Sequence, residues 1–117
     1  MAFDLKKYLL NKPEAVEDFP FGPEVAVYKV RDKIFALIGM ENNEARINLT
    51  CDPAEAEHLR MVFDAVLPGY HMNKKHWNTV VINGSIPDNE VKRMVDNSYA
   101  LVAKKMGKSA KYLILQQ

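Results

Sequence analysis

The chain has 117 residues, 48% hydrophobic and 26% charged, with a formal net charge of +1. This is a one-domain length, 1–117, with enough apolar surface for a buried core, which excludes a disordered chain. The near-zero net charge excludes a global field that would draw in nucleic acid or membrane, although residues 1–58 carry a net −4 and residues 59–117 a net +5, an asymmetry that can mark a basic face for an anionic partner.

The first helix is expected from Asp4 to Asn11. Phe3 can act as a hydrophobic staple, Leu5, Tyr8 and Leu9 share one stripe, and Pro13 helps to end it. The stretch AVEDFPFGPE, with two prolines and Gly22, reads as a loop. Three strands follow: Val25 to Val30, Lys33 to Met40 and Ala45 to Thr50. Their joints, Arg31-Asp32 and Glu41-Asn42-Asn43-Glu44, are too short for parallel crossovers, so the neighbours must be antiparallel. Both faces of the second strand are apolar, Ile34, Ala36 and Ile38 against Phe35, Leu37 and Gly39. It should therefore be central and covered on both sides.

A second helix opens with Asp52 as N-cap, Pro53 in the first helical position and Glu55 completing a capping-box-like pattern. Leu59, Val62, Phe63 and Val66 form its expected buried stripe, and Pro68-Gly69 ends it. Tyr70 to Trp77 should be a short extended piece, with a further short strand at Tyr70 to Asn73 as an option, and a tight turn. Asn78 to Ile82 is a strand and Asn83-Gly84-Ser85 a turn. A third helix starts at Pro87-Asp88 with Asp88 as N-cap. It buries Val91, Met94, Val95, Ser98 and Val102 and closes with Lys104, Lys105 and Gly107. The tail KYLILQQ reads as either a strand or a helix. The expected architecture is α+β, an antiparallel sheet with helices on one face, in the order α-β-β-β-α-β-α.

No catalytic constellation emerges. Cys51, the single cysteine, lies before a helix N-terminus, but Asp52 beside it disfavours a thiolate, so it reads as structural. Ser85 lacks the second glycine of a nucleophile elbow. His71 and His76 bracket two lysines, which repel a divalent cation, so no metal site is expected. No cofactor motif is present. The opening MAFDLKKYLLNKPE has too short an apolar run for a signal peptide, and no run approaches a membrane span. The expectation is a cytoplasmic, monomeric protein.

The densest segment is Tyr70 to Trp77, YHMNKKHW, where His71, Asn73, Lys74, Lys75, His76 and Trp77 combine cations with flat rings. Those residue types contact phosphates and stack on bases. Arg60, Lys92 and Arg93 lie close in sequence. The competing reading makes Trp77 a core anchor and leaves Lys74 and Lys75 as a solvated turn. Phe19-Pro20-Phe21-Gly22 reads as a lid on the core, with an exposed recognition loop as the alternative.

Pro20-Phe21-Gly22-Pro23-Glu24, Tyr28-Lys29-Val30, Lys33 to Leu37, Ile47 to Pro53, Pro68 to Val80, Gly84 to Asp88 and Ser98-Tyr99 together resemble the MmcQ/YjbR family over most of the chain. Tyr70 to Val80 is the most specific part. Asn83 departs from the Asp expected before Gly-Ser, which touches only a turn. The resemblance implies a frataxin-like (CyaY-like) fold and a DNA-binding role through a "double wing" of β-hairpins. It brings no catalytic residue and no cofactor. Frataxin's iron role does not transfer, because Lys6 and Lys7 stand beside Asp4 where an acidic ridge would be needed. The expected function is therefore non-enzymatic DNA binding. The alternative is a protein- or small-ligand-binding module with no nucleic-acid role, and an enzyme ranks last.

Overall fold

Asp4 caps α1 (Leu5–Leu10) by accepting a hydrogen bond from the Lys7 amide at 3.2 Å, and Leu5 and Leu9 are buried on its inner stripe. The computed structural model describes residues 4–69 and 73–103. The expected staple at Phe3, the Tyr70 to Asn73 strand in its first three residues, Lys104, Lys105, Gly107 and the tail lie outside these residues.

The expected loop after α1 contains a strand instead. Ala15–Asp18 forms β1, pairing antiparallel with β2 (Ala26–Val30) in the register Ala15↔Val30 to Asp18↔Val27. Its side chains lock the pairing: the Tyr28 hydroxyl donates to Glu17 at 2.7 Å, and Lys29 bridges Asp18 at 3.1 Å. β2 turns into β3 (Lys33–Glu41) through Arg31-Asp32, and β3 into β4 (Glu44–Thr50) through Asn42-Asn43. All four turn residues have positive φ, the conformation whose twist suits two-residue hairpins. β3 is central, as expected, but Ile34, Leu37 and Gly39 are only half-buried, so the expected cover on both sides is incomplete.

The pairing of β2 with β3 skips Phe35, since Tyr28 opposes Ala36 while Lys29 opposes Ile34. This bulge lets Phe35 and Ala36 both be fully buried. The Phe35 ring meets Tyr99 of α3 (Asp88–Ala103) edge-on, with centroids 5.4 Å apart. The Ser98 hydroxyl, itself fully buried, donates to the Phe35 carbonyl at 2.6 Å.

The second helix, α2 (Pro53–Val62), is shorter than its apolar spacing suggested. Phe63 is the C-cap in extended conformation, Val62 is exposed, and Val66 belongs to a strand, β5 (Val66–Pro68), opposite Val80 of β6 (Trp77–Ile82). Asp52 occupies the N-cap position but its side chain makes no cap hydrogen bond. Glu55 is drawn away from the expected capping box to Arg93 and Asn97 of α3, both at 3.1 Å. Asp88 is the first helical residue of α3 rather than its cap. The Pro87 carbonyl accepts the first bonds, from Glu90 and Val91.

The sheet among the described residues has six strands in the order β1-β2-β3-β4-β6-β5, all antiparallel, so the chain is α+β with two edge strands added to the expected four. The helices pack on the face carrying Ala36, Ile47, Leu49, Asn78 and Val80, where Leu59 and Met94 meet the sheet. α3 buries Val91, Met94, Val95, Ser98 and Val102, the expected face. α1 is tied to α3 through Asp96, which accepts from Tyr8 at 2.7 Å and Lys12 at 2.5 Å, and through Tyr99, which donates to the Pro13 carbonyl at 2.7 Å. Phe19 and Phe21 do not cover the core: they are 44% and 67% exposed. No helix among the described residues is long and apolar enough to cross a membrane.

Candidate functional site

Asn73, Lys74, Lys75 and His76 form a turn just before β6. The Asn73 side chain accepts from the Lys75 amide at 3.0 Å, and the His76 amide donates to the Asn73 carbonyl at 3.1 Å. Asparagine favours such turns because its short side chain folds back onto the backbone two residues on. The turn is then pinned from three sides. The His76 carbonyl accepts from the Cys51 amide at 2.7 Å and the Thr50 hydroxyl at 3.2 Å. The Gly69 amide donates to the Trp77 carbonyl at 2.9 Å. From α2, Arg60 donates through Nη2 to the Lys74 carbonyl and, at 3.3 Å, to the Trp77 carbonyl, while its Nε reaches Asn78 Oδ1 at 2.7 Å.

This fixed backbone carries exposed Lys74, Lys75 and His76 side chains. With Pro53, Glu57 and Arg60 they line a groove of about 530 Å³. Asn73, His76 and half-buried Trp77 line a second groove of about 520 Å³ with Lys33, Thr50 and Leu101, so the turn is a ridge between two hollows. Trp77 opposes Thr50 in the ladder, on the sheet face opposite to that of Leu49 and Asn78.

The structure thus brings Arg60, Asn73, Lys74, Lys75, His76 and Trp77 together. His71 lies outside the described residues. Lys92 lies 5.5 Å from the centre of the Tyr8 ring, toward α1. Arg93 bridges Glu90 at 2.9 Å and Glu55 at 3.1 Å, and the Glu90 bond holds its guanidinium still more firmly protonated. Neither lines the two grooves. Lys33, which does, was missed in the sequence, where it lies more than forty residues from Lys74 and nothing local marks it. Among the described residues no carboxylate pairs with Lys74, Lys75 or Arg60, so these charges stay uncompensated at short range.

Cys51 borders the second groove but is 8% exposed, and burial followed by the Glu55 and Asp52 charges pushes its thiol up to about 11. A thiol in that state is a poor nucleophile at neutral pH. No group of three or more His, Cys, Asp or Glu able to hold a metal ion occurs among the described residues.

The YjbR family model matches residues 10–101. The uncharacterised protein YjbR of Escherichia coli is 32% identical over 113 residues, 97% of this chain and 96% of that protein. The uncharacterised protein YbdF, also from Escherichia coli, is 34% identical over 103 residues, 88% of this chain and 84% of that one. Among solved structures, Deinococcus radiodurans protein DR2400 superposes with a TM-score of 0.86 at 34% identity, covering 95% of this chain and 85% of that one. A Pseudomonas syringae protein superposes at 0.72 with 28% identity, covering 85% and 98%. With the family model matching residues 10–101 and the YjbR relative aligning over 97% of the chain, the protein belongs to the YjbR family.

Proposed function

We propose that the chain is a non-enzymatic, cytoplasmic DNA-binding domain that acts as a monomer and contacts phosphates through the ridge of residues 73–77. One observation supports this most: Lys74 and Lys75 project from a turn whose backbone is pinned by Arg60, Cys51 and Gly69, with no carboxylate among the described residues paired to the three cations. A pinned turn loses little conformational freedom on binding, and unpaired cations release counterions from the phosphate backbone. Lys33 and the half-buried Trp77 extend the same ridge with a further charge and an aromatic edge. Glu57 in the first groove moderates the field, so affinity should be modest and strongly salt-dependent.

The test is a titration of labelled duplex and single-stranded DNA at low salt, repeated with Lys74→Ala combined with Lys75→Ala. Saturable binding, weakened in the double variant with the salt slope reduced by about two, supports the reading. Absence of binding at micromolar protein ends it. A second reading, a protein-binding module, is favoured by the exposed Val16, Phe19 and Phe21 around β1. Recovery of one protein from nuclease-treated extract, lost with Phe21→Ser, would support it instead.

A further inference from the structure

The sheet face that no helix among the described residues covers carries a polar row in which the proposed DNA contact does not use Arg46 or Asn48. Along β4, Ala45, Ile47 and Leu49 turn to one side of the sheet and Arg46, Asn48 and Thr50 to the other. Arg46 stands between Gly39 of β3 and Val81 of β6, and Asn48 between Leu37 and Thr79. Two adjoining hollows of about 410 and 250 Å³ lie over these rows and share Glu41, Arg46 and Thr79.

Arg46 is placed at a cost here. Its side chain is 22% exposed, yet its one carboxylate contact among the described residues is Nη1 to Glu41 at 3.4 Å, long for a charge-assisted bond, with Glu41 half exposed. Its Nε is buried with no acceptor among the described residues. A charged donor left unmet is an unfavourable arrangement that a bound anion would relieve. Nε shares with Nη2 the edge of the guanidinium that takes a carboxylate in two parallel bonds. The surroundings leave room for such a ligand. Gly39 puts no side chain into the hollow it lines, and a Cβ there would be in ordinary contact with Val25 at 3.9 Å. Asn48 accepts from the Thr79 hydroxyl at 2.5 Å, which leaves its amide nitrogen as the donor side. Lys74 stands on the far wall, and Met40, Leu67 and Pro68 offer apolar surface.

We infer that this face binds a small carboxylate with an apolar body, the carboxylate on the Nε–Nη2 edge of Arg46 and the body lying over Gly39 and Leu67. Glu41, on Nη1 at 3.4 Å, is then a neighbouring negative charge that weakens the ligand's hold on the same guanidinium.

The experiment is an amide chemical-shift titration of the whole chain with three probes: hexanoate, hexan-1-ol and inorganic phosphate. Hexanoate should shift the Gly39, Arg46, Asn48 and Thr79 amides saturably, with hexan-1-ol and phosphate each about tenfold weaker. Arg46→Gln should weaken hexanoate about tenfold, and Glu41→Gln should tighten it. Equal binding of hexanoate and hexan-1-ol would overturn the inference, as would shifts confined to residues 73–76. If Arg46→Gln fails to fold, Glu41→Gln alone decides, since hexanoate binding left unchanged or weakened by loss of that charge would overturn the inference. DNA binding is read separately, because Arg46→Gln should leave it intact.

Discussion

Arg60 reaches Asn78 through a 2.7 Å bond from Nε to Oδ1, and Asn78, 2% exposed, donates in turn to the Ala56 carbonyl at 3.3 Å. A buried amide is thereby satisfied on both sides by one helix, and the same guanidinium braces the 73–77 ridge. Arg60→Ala leaves Asn78 Oδ1 and the Lys74 carbonyl short of a donor and should cost about 2 kcal/mol in urea unfolding. Arg60→Lys should recover little of this, because a single ammonium cannot span three acceptors held in a fork. Amide exchange at residues 73–76 should quicken in both variants.

Gly69 and Trp77 are in closer contact than any side chain on residue 69 allows. A Cβ there would lie 2.7 Å from the Trp77 Cβ and 2.9 Å from its carbonyl oxygen. Gly69→Ala should lower stability by about 1–3 kcal/mol, the usual cost of overpacking, and should change Trp77 fluorescence. An unchanged melting curve would mean that β5 can move away from β6 at little cost.

Alkaline pH should unfold the chain through groups that burial keeps protonated. Burial, ahead of neighbouring carboxylates, raises the Cys51 thiol from 9.0 to about 11. It likewise raises the Tyr8 and Tyr99 hydroxyls from 10.0 to about 12, and Tyr28 further still. In each case the folded chain holds its proton more tightly than the unfolded one. The stabilisation is therefore whole below pH 9 and is lost as pH rises through about 9 to 12. The urea midpoint should be flat near neutrality and fall across that window, with Cys51→Ala removing the earliest part of the decline. A midpoint that stays level to about pH 11 would contradict this.

The two phenylalanines on either side of Pro20 should be nearly silent in stability. Phe21→Ser should change unfolding free energy by less than about 0.5 kcal/mol, since 67% of the residue is already in water. Phe35→Ala, at a fully buried bulge, should cost about 3–5 kcal/mol in the same assay.

Where the sequence was informative, short-range pattern and final packing agreed. The five positions of α3 spaced for one face are all buried, and the joints Arg31-Asp32 and Asn42-Asn43 are the tight turns their length demanded. Val66 shows the opposite case. Phe63, Val66 and their neighbours fit a helical stripe as well as a strand, and only pairing with Val80, a long-range contact, decides for the strand. Ala15–Asp18 was unreadable for a related reason: Glu17 and Asp18 have little strand preference, and Tyr28 and Lys29 supply the partners. The candidate site divides the same way. Lys74, Lys75 and His76 are adjacent in the chain and so were visible. The bracing role of Arg60, the arrival of Lys33 and the capture of Arg93 by Glu55 and Glu90 exist only once the helices are docked.

The sheet's outer margins govern how copies of this protein meet. β1 offers only four residues, two of them acidic, and β5 offers three and ends in Pro68, which has no amide hydrogen to give. Neither margin is a good template for a strand from a neighbouring molecule, so crowding should not drive these chains to zip together into fibres.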